Sequence, residues 1–346
     1  MNELSGTSLS TASNCCDWML AGNGLARASF SRIKPALRYF CLSADGRFHL
    51  LLLVLASSVM AIIMVIFGYF ISGSSQSIFH SGIDFLLGWR WDPAKDIYGA
   101  FPFIAGTLYT SAIAIIIGVP ISVGVAIFLS EMCPRWLRTP LDFVVELLAA
   151  VPSVIFGFWG IFTLRGILRD SIEPALISNL GFLPIFEGRP FGLDKLSAGL
   201  ILAIMIIPTV SAISREVLRA VPDSQKEAAL ALGANKYEMI STAVLSYAKS
   251  GIFGAGILGL GRAIGETMAV TMVIGNSNTF SWSMLDPGQT MASLIASNWW
   301  EADGGTLYQS ALIEIGLVLF IVMLIVNIVG RVFVGKLLGL KEGVVG

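Results

Sequence analysis

The chain has 346 residues, 55% of them hydrophobic and only 13% charged, with a formal net charge of −1 and a mean hydropathy of +0.79. Soluble globular proteins carry about 25% charged residues, so this chain does not face water on all sides. The near-zero net charge argues against a nucleic-acid partner, which requires a basic stripe.

The first 25 residues are rich in Ser, Asn, Thr and Gly. They lack the basic stretch and immediate short apolar core of a cleavable signal and read as a tail. Segment 27–48 alternates basic and apolar residues, a pattern suited to lying along the inner membrane surface. The expected organisation is a cytoplasmic N-terminal tail over 1–48, a transmembrane domain over 49–335, and a cytoplasmic C-terminus over 336–346. Cys15, Cys16, Cys41 and Cys133 form neither a disulfide framework nor a zinc pattern. His49 and His80 are isolated, so no metal site is expected.

A bilayer core takes about 20 apolar residues as a helix. Six runs qualify: Leu50 to Ile71, Phe103 to Leu129, Leu141 to Leu164, Leu196 to Ser214, Gly251 to Gly275 and Leu307 to Gly330. The third has Asp142 and Glu146 near its start and Pro152 inside, consistent with kinked packing. An even number of spans puts both termini on one side. Of the 22 Lys and Arg, fifteen fall in the two tails and the even-numbered loops, six on the opposite side, and Arg262 lies within a span. By the positive-inside rule, the termini are expected in the cytoplasm. The outer segments, roughly 73–102, 165–195 and 276–306, hold Trp89, Trp91, Trp282, Trp299 and Trp300, which suit an aromatic belt. No inverted repeat is evident, which weighs against a secondary-transporter fold.

The inner segment before span five is polar but not a loose linker. Pro222 and Asp223 start a helix. Glu227-Ala228-Ala229-Leu230-Ala231-Leu232 favours helix strongly. Gly233 breaks it, and Tyr237 to Tyr247 resumes a helical pattern. The pattern predicts a rigid knob on the inner face, within a loop of about 218–250.

Span five places small residues at four-residue spacing, Gly251, Ala255 and Gly259, then Gly261 and Gly265, allowing close approach to neighbours. Arg262 and Glu266 are four apart, on one helical face if the helix is continuous. A charge at the bilayer centre costs about 3 kcal/mol on insertion scales, and pairing offsets part of that. Two readings remain open. The pair locks the helix to its bundle, or Arg262 faces a pathway with Glu266 holding it. In the second, its guanidinium fork matches a tetrahedral oxyanion.

Glu227-Ala228-Ala229 followed by Gly233 resembles the EAA motif of ABC importer permeases, whose coupling helix sits in a groove of the ATPase subunit. The family has proline where this chain has Ser246, so a weaker bend into span five is expected. The stretch Gly259 to Asn276, with Arg262-Ala-Ile-Gly-Glu266-Thr267-Met268-Ala-Val, is similar to the C-type (PstC) permeases of ABC phosphate importers. The resemblance covers most of residues 48–340. It implies an all-α integral membrane protein of six transmembrane helices with the type I ABC importer permease (MetI-like) fold. It implies a substrate pathway at Arg262, Glu266, Thr267 and Asn276, and ATPase coupling through Glu227, Ala228, Ala229 and Gly233. It also implies an A-type permease partner, two ATPase subunits and an external phosphate-binding protein. No Walker A sequence is present, Gly335-Lys336 being followed by Leu337. No cofactor is therefore expected in this chain, ATP and Mg²⁺ being bound by the partner ATPase, and the chain is expected to be non-catalytic.

Three further points stay as expectations. Glu314 lines the path, pairs with Arg262, or is solvated near the outer interface, the last being favoured. Asn276, with Ser277 and Asn278, contacts substrate at the outer mouth or forms an ordinary turn. The rival functions are a permease for another oxyanion (sulfate or molybdate) and a secondary anion transporter acting without an ATPase.

Overall fold

The computed structural model describes residues 44–339. The tail, most of segment 27–48, three of the four cysteines and the last seven residues lie outside the described residues. The chain divides into two compact units, Met1–Gly68 and Tyr69–Gly346. The described part of the first is helical, from Ala44 onward.

Ten helices define the frame: α1 Ala44–Gly73, α2 Phe101–Met132, α3 Arg135–Ala150, α4 Ser153–Leu180, α5 Lys195–Arg219, α6 Asp223–Ala231, α7 Lys236–Gly265, α8 Met268–Val273, α9 Met291–Asn298 and α10 Leu307–Gly339. Five helices are long and apolar enough to cross a membrane. A sixth crossing is assembled from α3 and α4, which meet at an 89° bend.

The bend corrects the expectation of a span over Leu141–Leu164. Val151 is extended, with ψ 126, because the following Pro152 disfavours helix at the residue before it. α3 is amphipathic. Trp136, Phe143, Val144, Leu147 and Leu148 are exposed, while Asp142 on the other face pairs with α5. The crossing itself is α4, which runs on to Leu180, so much of the expected outer loop 165–195 is helix. Arg165, Arg169 and Asp170 read as loop residues in the sequence. In the structure they lie within the middle of α4, with Arg169 and Asp170 paired in the open.

Helix directions follow from contacts. Ile113 meets Gly199 and Gly118 meets Ile206, so α2 and α5 run parallel. Gly251 meets Val217 and Gly259 meets Val210, so α7 runs against α5. Gly330 meets Ile257 and Gly265 approaches Met323, so α10 runs against α7. One end of the bundle therefore gathers the end of α2, the end of α5, α6 and the start of α7. It carries Arg215, Arg219, Lys226 and Lys236 and is called the basic end here.

The main core lies between α2, α4, α5, α7 and α8, with Ile201, Leu202, Met205, Ile206, Val210 and Ile274 almost fully buried. At the far end a short hairpin, β1 Trp91–Asp92 with β2 Ile97–Tyr98, covers the start of α10. Trp91 is buried there against Tyr98 and Phe103, so it is a core residue and not a belt residue. Trp89, Trp282 and Trp300 are exposed.

Glu314 also departs from expectation. It is 6% exposed, beside Ser77 of the short helix Ser75–Ser81, and no ion pair joins it to Arg262 among the described residues. That short helix, a strap over α10, is fastened by Ser310, which accepts from the Ser77 N–H (3.1 Å) and donates to the Gly73 carbonyl (2.8 Å). The segment that looked like a wet outer loop is folded down over α10, and this buries the carboxyl.

A second buried acid cluster ties α4 to α5. Glu173 and Asp194 are both fully buried and face each other closely enough to interact electrostatically. Glu173 Oε2 accepts from the Gly192 N–H (3.1 Å), and Asp194 Oδ1 caps α5 by accepting from the Ser197 N–H (2.7 Å). Lys195 extends from the same turn, its Nζ donating to the Ser281 carbonyl (2.5 Å) between the Tyr109 and Phe280 rings.

Two predictions follow from this packing. A Cβ at Gly106 would stand 2.2 Å from the Gln289 carbonyl oxygen, which is backbone and cannot swing away. Gly106→Val should therefore abolish recovery of a monodisperse detergent-solubilised protein, whereas Gly124→Ala, in open space, should leave it unchanged. The second concerns pH. Asp194 lies just outside α5, and burial raises its carboxyl above the ordinary range. The folded state thus binds the proton more tightly than the unfolded state. Its stabilisation is complete below the usual carboxylate pKa and is lost as pH climbs through the raised value. The thermal midpoint should fall as pH rises, and Asp194→Asn should flatten that fall. A wild-type midpoint that does not move with pH would contradict the raised Asp194 carboxyl.

Candidate functional site: a broken membrane helix and a basic-end knob

α7 stops at Gly265. Glu266 takes an extended backbone (φ −71, ψ 127), and a new short helix, α8, begins at Met268. The expected span to Gly275 is therefore two helices. The break also separates the expected pair. Arg262 and Glu266 form no ion pair among the described residues, because leaving the helix at Glu266 carries its side chain off the i, i+4 face. Glu266 Oε1 instead accepts from the Ala269 N–H (3.4 Å), capping α8.

Arg262 is half-buried in the last turn of α7. Cations are favoured there by the helix dipole. Its Nη1 donates to Thr209 Oγ1 of α5 (3.0 Å), the one hydrogen-bond partner its guanidinium has among the described residues. Thr209 lies about 21 Å along α5 from Lys195, near the middle of a helix of about 37 Å. It follows Pro208, which lacks the N–H that would bond the preceding turn. α5 and α7 are close at this level because Gly259 has no side chain where Val210 packs. A fixed positive charge, a helix end and an interrupted helix thus meet near mid-depth. Such an arrangement can bind an anion weakly through the free guanidinium edge.

The other expected pathway residues flank the break. Thr267 is half-buried, its hydroxyl donating to the Gly265 carbonyl (3.3 Å), and Thr271 Oγ1 donates to the Thr267 carbonyl (2.7 Å). Asn276 lies beyond α8. It has a left-handed backbone (φ 48), is exposed, and its amide donates back to the Thr271 carbonyl (2.8 Å). Its local role is that of a turn residue closing α8.

The second region is the knob at the basic end. α6 carries Glu227, Ala228 and Ala229. The first two are exposed, and Ala229 is half-buried against Ile240 and Val244. Gly233 ends it with φ +88, its N–H bonding Leu230 O (2.9 Å) while Ala234 N–H bonds Ala229 O (3.1 Å). This is the Schellman arrangement, which needs a left-handed residue at that position. Asn235 and Glu238 then form a reciprocal cap that starts the next helix. The expected second short helix is not separate. It is the first part of α7, which runs on through a π turn at Ile240–Val244 with Ser246 in mid-helix, so the chain enters span five without a sharp bend.

Sequence reasoning missed three features here. Leu232 is 90% exposed and Tyr237 75% exposed on the knob, a bare apolar edge that helix propensity does not reveal. Thr209, the partner of Arg262, has no local motif. The cluster at the basic end, Arg215 to Asp142 (2.5 Å) and Glu146 (3.6 Å), with Arg219 to Asp142 (3.0 Å), joins residues far apart in sequence.

Residues 118–338 match the family model described as binding-protein-dependent transport system inner membrane component. A protein of Xylella fastidiosa (strain Temecula1) named phosphate transport system permease protein PstC is 44% identical over 304 residues, covering 87% of this chain and 93% of that protein. The Haemophilus influenzae protein of the same name is 43% identical, covering 84% and 90%. A Methanocaldococcus jannaschii protein, probable phosphate transport system permease protein PstC, is 38% identical, covering 79% and 88%. Among solved structures, a bacterial ABC transporter involved in import of the acidic polysaccharide alginate superposes with a TM-score of 0.52 at 15% identity, covering 82% of this chain and 96% of that one. That likeness shows the fold. With a mostly helical membrane bundle, a family match over residues 118–338 and relatives aligned over most of their length, the chain belongs to the family of binding-protein-dependent transport system inner membrane components.

Proposed function

We propose that this chain is the membrane-spanning permease subunit of an ATP-driven phosphate importer, forming the translocation pathway with a second permease subunit by alternating access. The observation that carries this reading is Arg262, a half-buried cation near mid-depth at the end of a broken helix. Intramembrane cations mark substrate pathways, and the guanidinium fork suits a tetrahedral oxyanion. The names of the relatives, which span bacteria and M. jannaschii, favour phosphate over sulfate or molybdate.

The partners are an A-type permease, two ATP-binding subunits that hold ATP and Mg²⁺, and an external phosphate-binding protein. This chain performs no hydrolysis. The bias of Lys and Arg toward the basic end supports a cytoplasmic location for that end and for both termini. The α6 knob, with Glu227, Ala228, Ala229 and Gly233 and the bare Leu232 edge, is the seat of an ATPase subunit. In each cycle, closure of the ATPase dimer displaces the knob, and a cavity between the two permease subunits opens first outward and then inward. Thr209 and Glu266 position the pathway, Thr209 by holding the guanidinium and Glu266 by capping α8.

Arg262→Gln should leave assembly intact and reduce phosphate uptake by about 10- to 100-fold, the value of a hydrogen bond to a charged group. Uptake is measured in cells or proteoliposomes carrying the whole importer, with sulfate and molybdate as competitors. Normal uptake would remove Arg262 from the pathway, and equal competition by sulfate would remove phosphate as the substrate. Gly233→Val should cost about 1–2 kcal/mol at the left-handed turn and weaken ATPase retention during purification by about 5- to 30-fold. Unchanged retention would argue against the knob as the seat.

A further inference from the structure

The knob is fastened to span two by an ion pair that the function above does not by itself require. Lys226 Nζ of α6 lies 2.8 Å from Glu131 Oε1 in the π turn that ends α2. Their side chains are only 19% and 9% exposed. The alternative acid, Asp223, is 3.9 Å away and 87% exposed. Among the described residues this is the one ion pair between α6 and α2.

The neighbouring contacts extend it. The carbonyl of Ser130, beside Glu131, accepts from Arg138 Nη2 of α3 (2.9 Å). α3 in turn holds Arg215 and Arg219 of α5 through Asp142. Ala126 of α2 packs with Leu218 and Val221, and with Ile240 and Val244 in the first turns of α7. The ends of α2, α3 and α5 are therefore linked polar group to polar group, and α6 joins that ring at Lys226.

We infer that Lys226 and Glu131 are positioning residues that form a strut carrying displacement of α6 into α2, and so into the helices around Arg262. This rests on the proposed role of α6 as the ATPase seat. A short side-chain contact in a site largely hidden from water transmits motion because breaking it leaves a buried charge unpaired. Without the strut, α6 can still bind the ATPase but moves without taking α2 along. α2 lies parallel to α5 from Ile113 to Ala126, so a shift at Glu131 is passed along the helix that contacts the Thr209-bearing α5.

The test uses the complete importer in proteoliposomes and reads phosphate transported per ATP hydrolysed. Lys226→Gln and Glu131→Gln should each leave the complex assembled and hydrolysing ATP while this ratio falls about tenfold, within the range of an ordinary coupling free energy. The exchange Lys226→Glu with Glu131→Lys should restore the ratio to within about threefold of wild type. A merely structural pair would lower assembly, hydrolysis and uptake together with the ratio unchanged, and that result overturns the strut. An assembled charge-exchanged complex as uncoupled as the single variants also overturns it. A cross-link between Leu232→Cys and the ATPase distinguishes the two levels. Its absence in an otherwise wild-type complex removes the seat and the strut together, whereas an intact cross-link with a wild-type ratio in both single variants removes the strut alone.

Discussion

A membrane interior offers no water to an unpaired backbone group, so every helix that stops there must be completed by the protein itself. The break between Gly265 and Met268 is the place where this constraint bears hardest. α7 ends with an extended residue, and α8 is only six residues long. The loose ends are met locally. Glu266 accepts from Ala269, Thr267 donates to Gly265, Thr271 donates to Thr267, and Asn276 closes the far end. α8 is then sheltered by α4, whose Gly157 and Gly160 lie directly against Met272 and Val273. The glycines of α4, the proline of α5 and the small residues of α7 all serve to bring neighbouring helices onto this one interruption.

The same constraint sorts the charges. At the basic end Arg215 and Arg219 are matched by Asp142 on the amphipathic α3, and Lys226 by Glu131. At the far end Glu173 and Asp194 take backbone N–H groups of Gly192 and Ser197, and Lys195 rests between two aromatic rings. Arg262 is treated differently. It has a hydroxyl and a helix dipole but no carboxylate partner among the described residues. A cation left so lightly held favours an anion that binds and leaves, which a conduit requires.

Much of the architecture was legible in the sequence because hydropathy and punctuation act locally. Five of the six apolar runs hold helices long and apolar enough to cross a membrane, the fifth only as far as Gly265, and Gly233 after the alanine-rich segment is the left-handed end that it signals. What was hidden depends on non-local geometry. The i, i+4 reading of Arg262 and Glu266 assumed a continuous helix, and nothing in Gly265-Glu266-Thr267 announces an extended residue. The bend at Pro152 was read as a kink because a proline does not say how far the chain turns. Glu314 and Trp91 lie in or beside segments with the composition of wet loops, yet the strap Ser75–Ser81 and the Trp91–Tyr98 hairpin fold over α10 and bury them. Thr209 became visible only when α5 was laid against α7.

The central claim is that the pathway passes the break in span five, and side-dependent labelling tests it most directly. A single cysteine is placed at Thr267 in an importer otherwise free of cysteine and treated with a membrane-impermeant anionic thiol reagent from one side at a time. The account predicts labelling from one side in the nucleotide-free complex and from the opposite side in the ATP-trapped complex, slowed by phosphate and not by sulfate. Labelling that is unaffected by nucleotide and by phosphate would contradict it.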